Sequence, residues 1–223
     1  MRVQLAAGML AVALGMECAA QGPALQAGIH VEMAATKHAV ALAEADGADA
    51  VVVAIPADGS EYVGVRKSTE AELAGRLKAA LTAQNGKRVY IKADARAVYG
   101  VVQRAVEAAR SAGAEAVFLL TEQAAAGRAN PAPPMGIRLH GKPPDHAVVV
   151  QAFDRAQPQA VQVDGKSMGV EELAAAIRQM AKEHGGKPVR VEANVEMAFQ
   201  DVARMVDACR EAGAEVYLST PRR

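Results

Sequence analysis

The sequence predicts an α+β fold of two tandem ββαβαβ units, each a mixed sheet with two helices packed on one face. The first observation is an internal repeat: residues 73–115 align with residues 173–215 without a gap, with about 15 of 43 positions identical. The second is that strand and helix patterns follow one another in the same order in both copies. The third is a segment with three prolines in four positions, residues 131–134, which suits neither a helix interior nor a central strand.

Copy one begins with a strand and a hairpin. Residues 50–55 form a continuous apolar run rich in valine, which predicts a buried strand. The Asp-Gly-Ser sequence at residues 58–60 predicts a turn, because these residue types favour turn conformations. Residues 62–65 are then expected to be the returning strand.

A helix is expected after the hairpin. Thr69 and Glu72 have the spacing of a capping box, in which each side chain bonds to the backbone amide of the other residue. Leucines recur at four-residue spacing and mark one buried face: Leu73, Leu77 and Leu81. The Asn-Gly pair at residues 85–86 predicts the end of the helix.

The rest of copy one alternates strand, helix and strand. Residues 88–93 alternate polar and apolar side chains and predict a strand, residues 95–112 predict a helix that ends at Gly113, and residues 116–120 predict the last strand. Copy two repeats this order, and its elements are expected at residues 147–153, 161–163, 170–183, 189–191, 196–212 and 216–218.

The repeat and the proline-rich segment together predict the domain organisation. We expect a signal peptide or short membrane anchor at residues 1–21 and a first domain at residues 22–123. A Pro/Ala-rich linker at residues 124–134 then leads to a second domain at residues 135–223.

The amino terminus has the parts of a secretory signal. One basic residue precedes an apolar run, residues 3–16, and small residues follow at Ala19 and Ala20. The run is short for a membrane span, which takes about 20 apolar residues. Cleavage after Ala20, retention as an anchor, and a membrane helix that begins upstream of Met1 all stay open.

Composition excludes several kinds of site and partner. The chain has 25 basic and 25 acidic residues, so it has no net positive charge that would attract nucleic acid. Only 3% of its residues are aromatic, so it offers few side chains on which bases could stack. Cys18 and Cys209 form none of the close Cys or His pairs that a structural zinc ion needs. We therefore expect no nucleic-acid partner, no metal and no cofactor.

A set of short motifs follows in fixed order along copy one. They are Gly28-Ile29-His30-Val31-Glu32, Asp58-Gly59-x-x-Tyr62-Val63-Gly64, Leu73 to Leu81, Val89 to Asp94, Tyr99, and Ala109-Arg110-x-Ala112-Gly113. In order and spacing, residues 28 to 122 resemble the periplasmic domain of the ExbD/TolR family of biopolymer-transport proteins. Residues 136–220 resemble it more weakly, with Asn194 in place of Asp94 and Phe199 in place of Tyr99.

The resemblance implies a non-enzymatic accessory component of an inner-membrane energy-transduction system of the ExbB–ExbD or TolQ–TolR kind. It implies an ExbB/TolQ-like membrane protein or other envelope proteins as partners, contact with peptidoglycan, and self-association. It also implies a place in the periplasm or at the periplasmic face of the inner membrane. In the family an Asp in the membrane helix carries the proton, and this sequence departs there: residues 1–22 contain no Asp, and Glu17 lies at the far end of the apolar run.

Two matching pairs of residues stand out between the copies. Asp94 follows a strand and precedes a helix, so it is expected to be a structural N-cap, and Asn194 caps equally well although it cannot act as a base. Tyr99 and Phe199 also fall at matching positions. We favour packing of both rings against the sheet, with a partner or dimer contact as the alternative. No catalytic residue is predicted, because no nucleophile or paired-carboxylate constellation can be assembled from the spacing.

A second function class stays open. Paired α+β domains bind ligands at their interface, so the alternative function is a soluble small-molecule-sensing tandem protein. Units of this size have modest cores, so we also expect association through open sheet edges, either of one copy with the other or by dimerisation.

Overall fold

The computed structural model describes residues 29–83, 87–123, 133–184 and 188–219. The predicted signal peptide or anchor at residues 1–21, the helix end at residues 85–86 and most of the predicted linker lie outside these ranges. No helix within them is long and apolar enough to span a membrane.

Copy one supplies seven strands and two helices. They are β1 (Ala35–Thr36), β2 (Val40–Ala41), β3 (Val51–Ile55), β4 (Glu61–Val63), β5 (Arg66–Ser68), α1 (Glu70–Thr82), β6 (Arg88–Ala93), α2 (Tyr99–Ser111) and β7 (Ala116–Gln123). A 3-10 helix, Ala43–Asp46, lies between β2 and β3. The following part of the chain supplies β8 (Met135–Leu139), β9 (Val148–Ala152), β10 (Ala160–Val163), β11 (Lys166–Gly169), α3 (Val170–His184), β12 (Pro188–Ala193), α4 (Phe199–Glu211) and β13 (Glu215–Leu218).

These elements form two mixed sheets, which confirms the predicted α+β class. The first sheet has the order β2-β8-β7-β6-β3-β4-β5, with β1 paired to the end of β7, and the second has the order β11-β10-β9-β12-β13. In each sheet the central strands are parallel and the hairpin strands antiparallel. The carboxyl ends of the parallel strands therefore lie together at one edge of each sheet.

The hairpin differs from the predicted one in both copies. The returning strand expected at residues 62–65 ends at Val63, and the chain reverses again around Gly64, whose φ is +62°. In copy two the reversal uses Asp164 and Gly165 with φ of 45° and 82°, and an Asp-Gly pair with two positive φ angles is typical of a tight hairpin turn. The hairpin of each unit thus adds one strand, β5 or β11, to the ββαβαβ prediction.

The helices bury one face of each sheet in a common core. Thr69 and Glu72 form the predicted capping box at the start of α1, and the three leucines of that helix are buried. Cys209 is fully buried in α4, and burial raises the pKa of its thiol to about 12. One continuous cluster of buried apolar residues contains side chains from both copies.

The opposite face of the first sheet is covered by the chain itself. Leu42 and Ala45, from the 3-10 helix region, pack on Tyr90, Phe118 and Leu120, and the Tyr90 and Phe118 rings stack with centroids 5.4 Å apart. Gly28-Ile29 matches Gly136-Ile137 at an offset of 108, whereas residues 73–115 match at an offset of 100, so copy two is eight residues shorter between these blocks. Copy two carries Arg190 where copy one has Tyr90, so the matching face of the second sheet is polar at that position.

Strand β8 joins the two copies. The repeat assigns β8 to copy two, yet it pairs antiparallel with β7 of the first sheet, with Ile137 opposite Leu119. It covers an edge of that sheet that would otherwise present unpaired amides and carbonyls. One copy therefore associates with the other through a sheet edge, whereas the exact domain boundaries stay a prediction.

Candidate functional site: the junction between the two repeats

Helices α2 and α4 begin at matching positions where the two copies meet. They were predicted to start at residues 95 and 196, but they begin at Tyr99 and Phe199, with Val98 and Ala198 as N-cap residues. Neither N-cap side chain can accept a hydrogen bond. The first-turn amides of both helices therefore need acceptors from elsewhere.

Each helix start is capped by the backbone of the other copy. The four bonds are Tyr99 N to Met197 O (2.8 Å), Gly100 N to Val195 O (2.8 Å), Phe199 N to Ala97 O (2.8 Å) and Gln200 N to Ala95 O (2.9 Å). Val98 and Ala198 form an antiparallel bridge between these bonds. The pattern is reciprocal, as at a twofold interface, so the two repeats of one chain make a pseudo-dimer.

Tyr99 and Phe199 lie at this junction. Both side chains are fully buried, and both backbone amides bond across it. Burial raises the pKa of the Tyr99 phenol, and its hydroxyl has no hydrogen-bond partner in the described part of the chain.

Replacing Tyr99 with phenylalanine should leave the protein equally stable or stabilise it by up to about 1 kcal/mol. The variant removes a buried hydroxyl that is desolvated without a bond, and Phe199 already fills the matching position. Chemical denaturation of both proteins measures the difference. A loss above about 1 kcal/mol would mean that the hydroxyl makes a stabilising bond.

Asp94 and Asn194 do not cap the helices, which corrects the prediction. Because α2 begins five residues after Asp94, the Asp94 carboxylate instead holds the turn that precedes the helix. It accepts hydrogen bonds from the backbone amides of Glu32 (3.1 Å) and Arg96 (3.0 Å). Asn194 does the same in copy two, accepting from the Glu196 amide at 3.0 Å. The residue type predicted a cap, but the capped segment is a turn rather than the helix.

The carboxyl group of Asp94 has a lowered pKa. Hydrogen bonds from the Arg96 side chain, and further bonds from the Arg96 and Glu32 amides, hold the pKa of Asp94 at about 2 although its burial acts in the opposite direction. The Arg96 Nε to Asp94 Oδ1 distance is 2.9 Å. These bonds fix the loop that presents Ala95 and Ala97 to the other copy.

Asp94 should make stability depend on pH at the acid end. A depressed folded-state pKa stabilises the protein above the ordinary value of 3.8, and this contribution disappears as the pH falls from about 4 to about 2. Because the Arg96 side chain is largely exposed, we expect about 1 kcal/mol. The unfolding free energies of the wild type and Asp94→Asn, measured between pH 5 and pH 2, should converge as the pH falls. A constant difference would contradict the assignment.

A short segment of copy one, residues 35–38, is hydrogen-bonded to α4 of copy two. The side-chain amide of Gln200 accepts from the backbone N–H of Ala35 at 2.8 Å and donates to the Ala35 carbonyl oxygen at 3.1 Å. Two turns along, the buried Asp207 carboxylate accepts from the amides of Lys37 (2.9 Å) and His38 (2.8 Å), and His38 Nδ1 lies 3.2 Å from it. Residues 35–38 therefore run between β7 and α4.

Arg110 forms another link between the copies. From the end of α2, its guanidinium donates to the backbone oxygens of His140 and Leu218. The sequence did not identify this arginine, Gln200 or Asp207 as site residues, because their partners lie far away in the chain. The available signal was Gln200 itself, which stands where copy one has Gly100.

Replacing Gly100 with alanine should destabilise the protein by about 1–2 kcal/mol, because the new Cβ would lie 3.0 Å from Val195 Cβ and 3.1 Å from its oxygen. Gly75→Ala is the matched control, since Gly75 is also helical and nothing lies within 4 Å of its Cβ position. That variant should gain up to about 1 kcal/mol in helix propensity. Thermal denaturation measures both, and equal shifts would contradict close contact at residue 100.

A cavity of about 340 Å³ opens beside the Val98–Ala198 bridge. Residues of both copies line it, including Arg96 from the loop after β6 and Glu196 from the loop after β12. Within the described ranges, no group of three or more His, Cys, Asp or Glu residues could hold a metal ion.

Comparison with known proteins identifies one family. The model of the family described as Biopolymer transport protein ExbD/TolR matches residues 19–124 and again residues 137–222. The two matches fall on the two copies of the repeat. Among curated proteins and solved structures, neither comparison found a significant match.

Proposed function

The chain belongs to the ExbD/TolR family, and from this we propose that it is a non-enzymatic accessory component of an inner-membrane energy-transduction system of the ExbB–ExbD or TolQ–TolR kind. It acts through its two repeats, at the periplasmic face of the membrane or in the periplasm. Its partners are an ExbB/TolQ-like membrane protein or other envelope proteins, with peptidoglycan as a further contact.

The reciprocal junction is the observation that best supports a role through contacts. Four backbone bonds cap the helix starts across the copies, and β8 adds a strand of one copy to the sheet of the other. A subunit that transmits force or position needs its domains held in one arrangement, and this junction supplies it within a single chain. The outer strands β5 and β11 end the two sheets and offer edges for a partner.

Affinity purification from membranes tests the proposed partnership. The full chain, tagged at its carboxyl terminus, is expressed in a Gram-negative host, cross-linked in intact cells and recovered from the membrane and periplasmic fractions. We expect an ExbB/TolQ-like protein or peptidoglycan fragments in the recovered material. Recovery of neither, from cells in which the chain is abundant and folded, would contradict the proposal.

The mature amino terminus tests the proposed location. Mass spectrometry of the recovered chain distinguishes a start at Gln21 in the periplasm from an intact Met1 in the inner membrane, and both fit an envelope-facing subunit. An intact Met1 in the soluble cytoplasmic fraction would contradict it. The exposed-surface variant Glu171→Gln serves as a control for expression and fractionation, because Glu171 lies away from the junction on α3.

A further inference from the structure

The cavity at the junction lies where the carboxyl ends of parallel strands from both copies meet. Arg96 follows β6, Arg155 follows β9, and Glu196 follows β12, each three residues beyond the strand end. In sheets with parallel strands, ligands bind preferentially in the crevice beyond these ends. The cavity is therefore in a position suited to binding, and both repeats contribute to it.

Two of its four charged side chains are already engaged. Arg96 pairs with Asp94 at 2.9 Å and with Glu32 at 3.2 Å. Asp201 pairs with Arg204 at 3.1 Å. Within each pair the opposite charges compensate one another, so neither Arg96 nor Asp201 offers a free charge to the cavity.

The other two charged side chains, Arg155 and Glu196, line the cavity unpaired. Both are exposed, and among the residues that the structure describes neither forms an ion pair. The cavity thus offers a guanidinium and a carboxylate of opposite sign, with the apolar side chains of Val98 and Met197 also in its lining.

The residues of copy one that match Arg155 and Glu196 carry no free charge. Asp58 lies three residues beyond β3, as Arg155 lies beyond β9, and Arg96 stands where copy two has Glu196. Asp58 accepts from the Ser60 amide at 2.9 Å and from its hydroxyl at 3.1 Å, and Arg96 is held by Asp94. The free charges therefore come from copy two only, and both of them line the cavity.

We propose that this cavity binds a small zwitterion, either a free amino acid or a dipeptide, with its carboxylate on Arg155 and its ammonium on Glu196. A guanidinium matches a carboxylate with two parallel hydrogen bonds, and charge-assisted bonds of this kind are the strong ones. A volume of about 340 Å³ is at the small end of ligand pockets and fits a molecule of that size. This binding activity goes beyond the proposed transport role and does not depend on it.

Calorimetric titration of the full chain tests the site. The probes are L-alanine and L-alanyl-L-alanine, and they are compared with alaninamide, N-acetylalanine and N-acetylalaninamide, which lack one or both charges. We expect saturable binding of at least one zwitterion and at least about tenfold weaker binding of every analogue that lacks a charge. Preference for alanine assigns a free amino acid as the ligand, and preference for the dipeptide assigns a peptide.

Variants test the two assigned contacts separately. Arg155→Gln should weaken the zwitterion about tenfold and leave alaninamide unchanged, whereas Glu196→Gln should weaken the zwitterion and leave N-acetylalanine unchanged. The matched controls, Arg66→Gln and Glu171→Gln, replace exposed charges outside the cavity and should change nothing. Absence of saturable binding up to about 10 mM, or equal affinity for the uncharged analogue, would overturn the proposal. Unchanged zwitterion binding in both cavity variants would overturn it as well.

Discussion

Replacing Phe199 with alanine should lower the free energy of unfolding by about 3–5 kcal/mol. The ring is fully buried and is among the largest side chains without solvent exposure. Its removal loses the transfer free energy of a phenyl group and leaves a cavity, because a close-packed core relaxes only in part. The amide of the same residue caps the junction, so the cavity opens where the two copies meet.

Both copies should unfold together in this variant. The buried apolar cluster is continuous across the copies, so loss of packing at Phe199 destabilises the first unit as well as the second. Urea denaturation followed by circular dichroism gives the free energy, and hydrogen exchange gives the stability of α1 and α3 separately. We expect parallel losses of protection in these two helices.

Phe153→Ala is the control for that experiment. Phe153 is of the same residue type and lies in the same copy, but 45% of its surface is exposed. The free energy of unfolding of this variant should differ from that of the wild type by less than about 1 kcal/mol, since exposed positions lose little packing. Comparable losses in the two variants, or loss of protection in α3 alone, would contradict a core shared across the junction.

The sequence was sufficient for the elements whose signals are local. The capping box at Thr69, the leucine periodicity of α1 and the alternation of residues 88–93 predicted elements that the structure contains at those places. These signals depend on residues only a few positions apart. The internal repeat then transferred the same interpretation to copy two, and the α+β class followed.

The starts of α2 and α4 could not be predicted in the same way. The rule for a helix start looks for a polar side chain that caps nearby amides, and Asp94 and Asn194 satisfied that pattern. The caps are instead backbone carbonyls of Val195, Met197, Ala95 and Ala97, which have no sequence signature. An error of four residues at α2 therefore reflects a contact between residues about 100 positions apart.

The extra hairpin strand was missed for a different reason. The Asp-Gly pair at residues 164–165 is a local turn signal for the second reversal in copy two, whereas copy one has only Gly64 at its reversal. Strand β8 was beyond such reasoning, since the repeat assigns it to copy two and only tertiary pairing places it on β7. The free charges of the cavity, on Arg155 and Glu196, could not be predicted either, because the folded loops decide whether these side chains form ion pairs.

The position of β8 leads to the second large effect. Gly136 pairs with Val40 on one side and with Leu120 on the other, so it lies in the middle of three adjacent strands. A Cβ at this position would lie 2.6 Å from Leu42 Cδ1 and 2.8 Å from the Leu119 oxygen. The leucine side chain can move aside, but the backbone oxygen belongs to β7 and cannot move without shifting the strand.

We expect Gly136→Ala to destabilise the protein by about 3 kcal/mol, at the upper end for overpacked sites, because β8 must separate from β7. Hydrogen exchange should show the loss of protection first in β7 and β8. Urea denaturation measures the decrease in the free energy of unfolding. Gly141→Ala is the control, since nothing lies within 4 Å of its Cβ position, and it should change stability by less than about 1 kcal/mol. Equal stability of the two variants, or unchanged protection of β7, would show that β8 does not hold the two copies together.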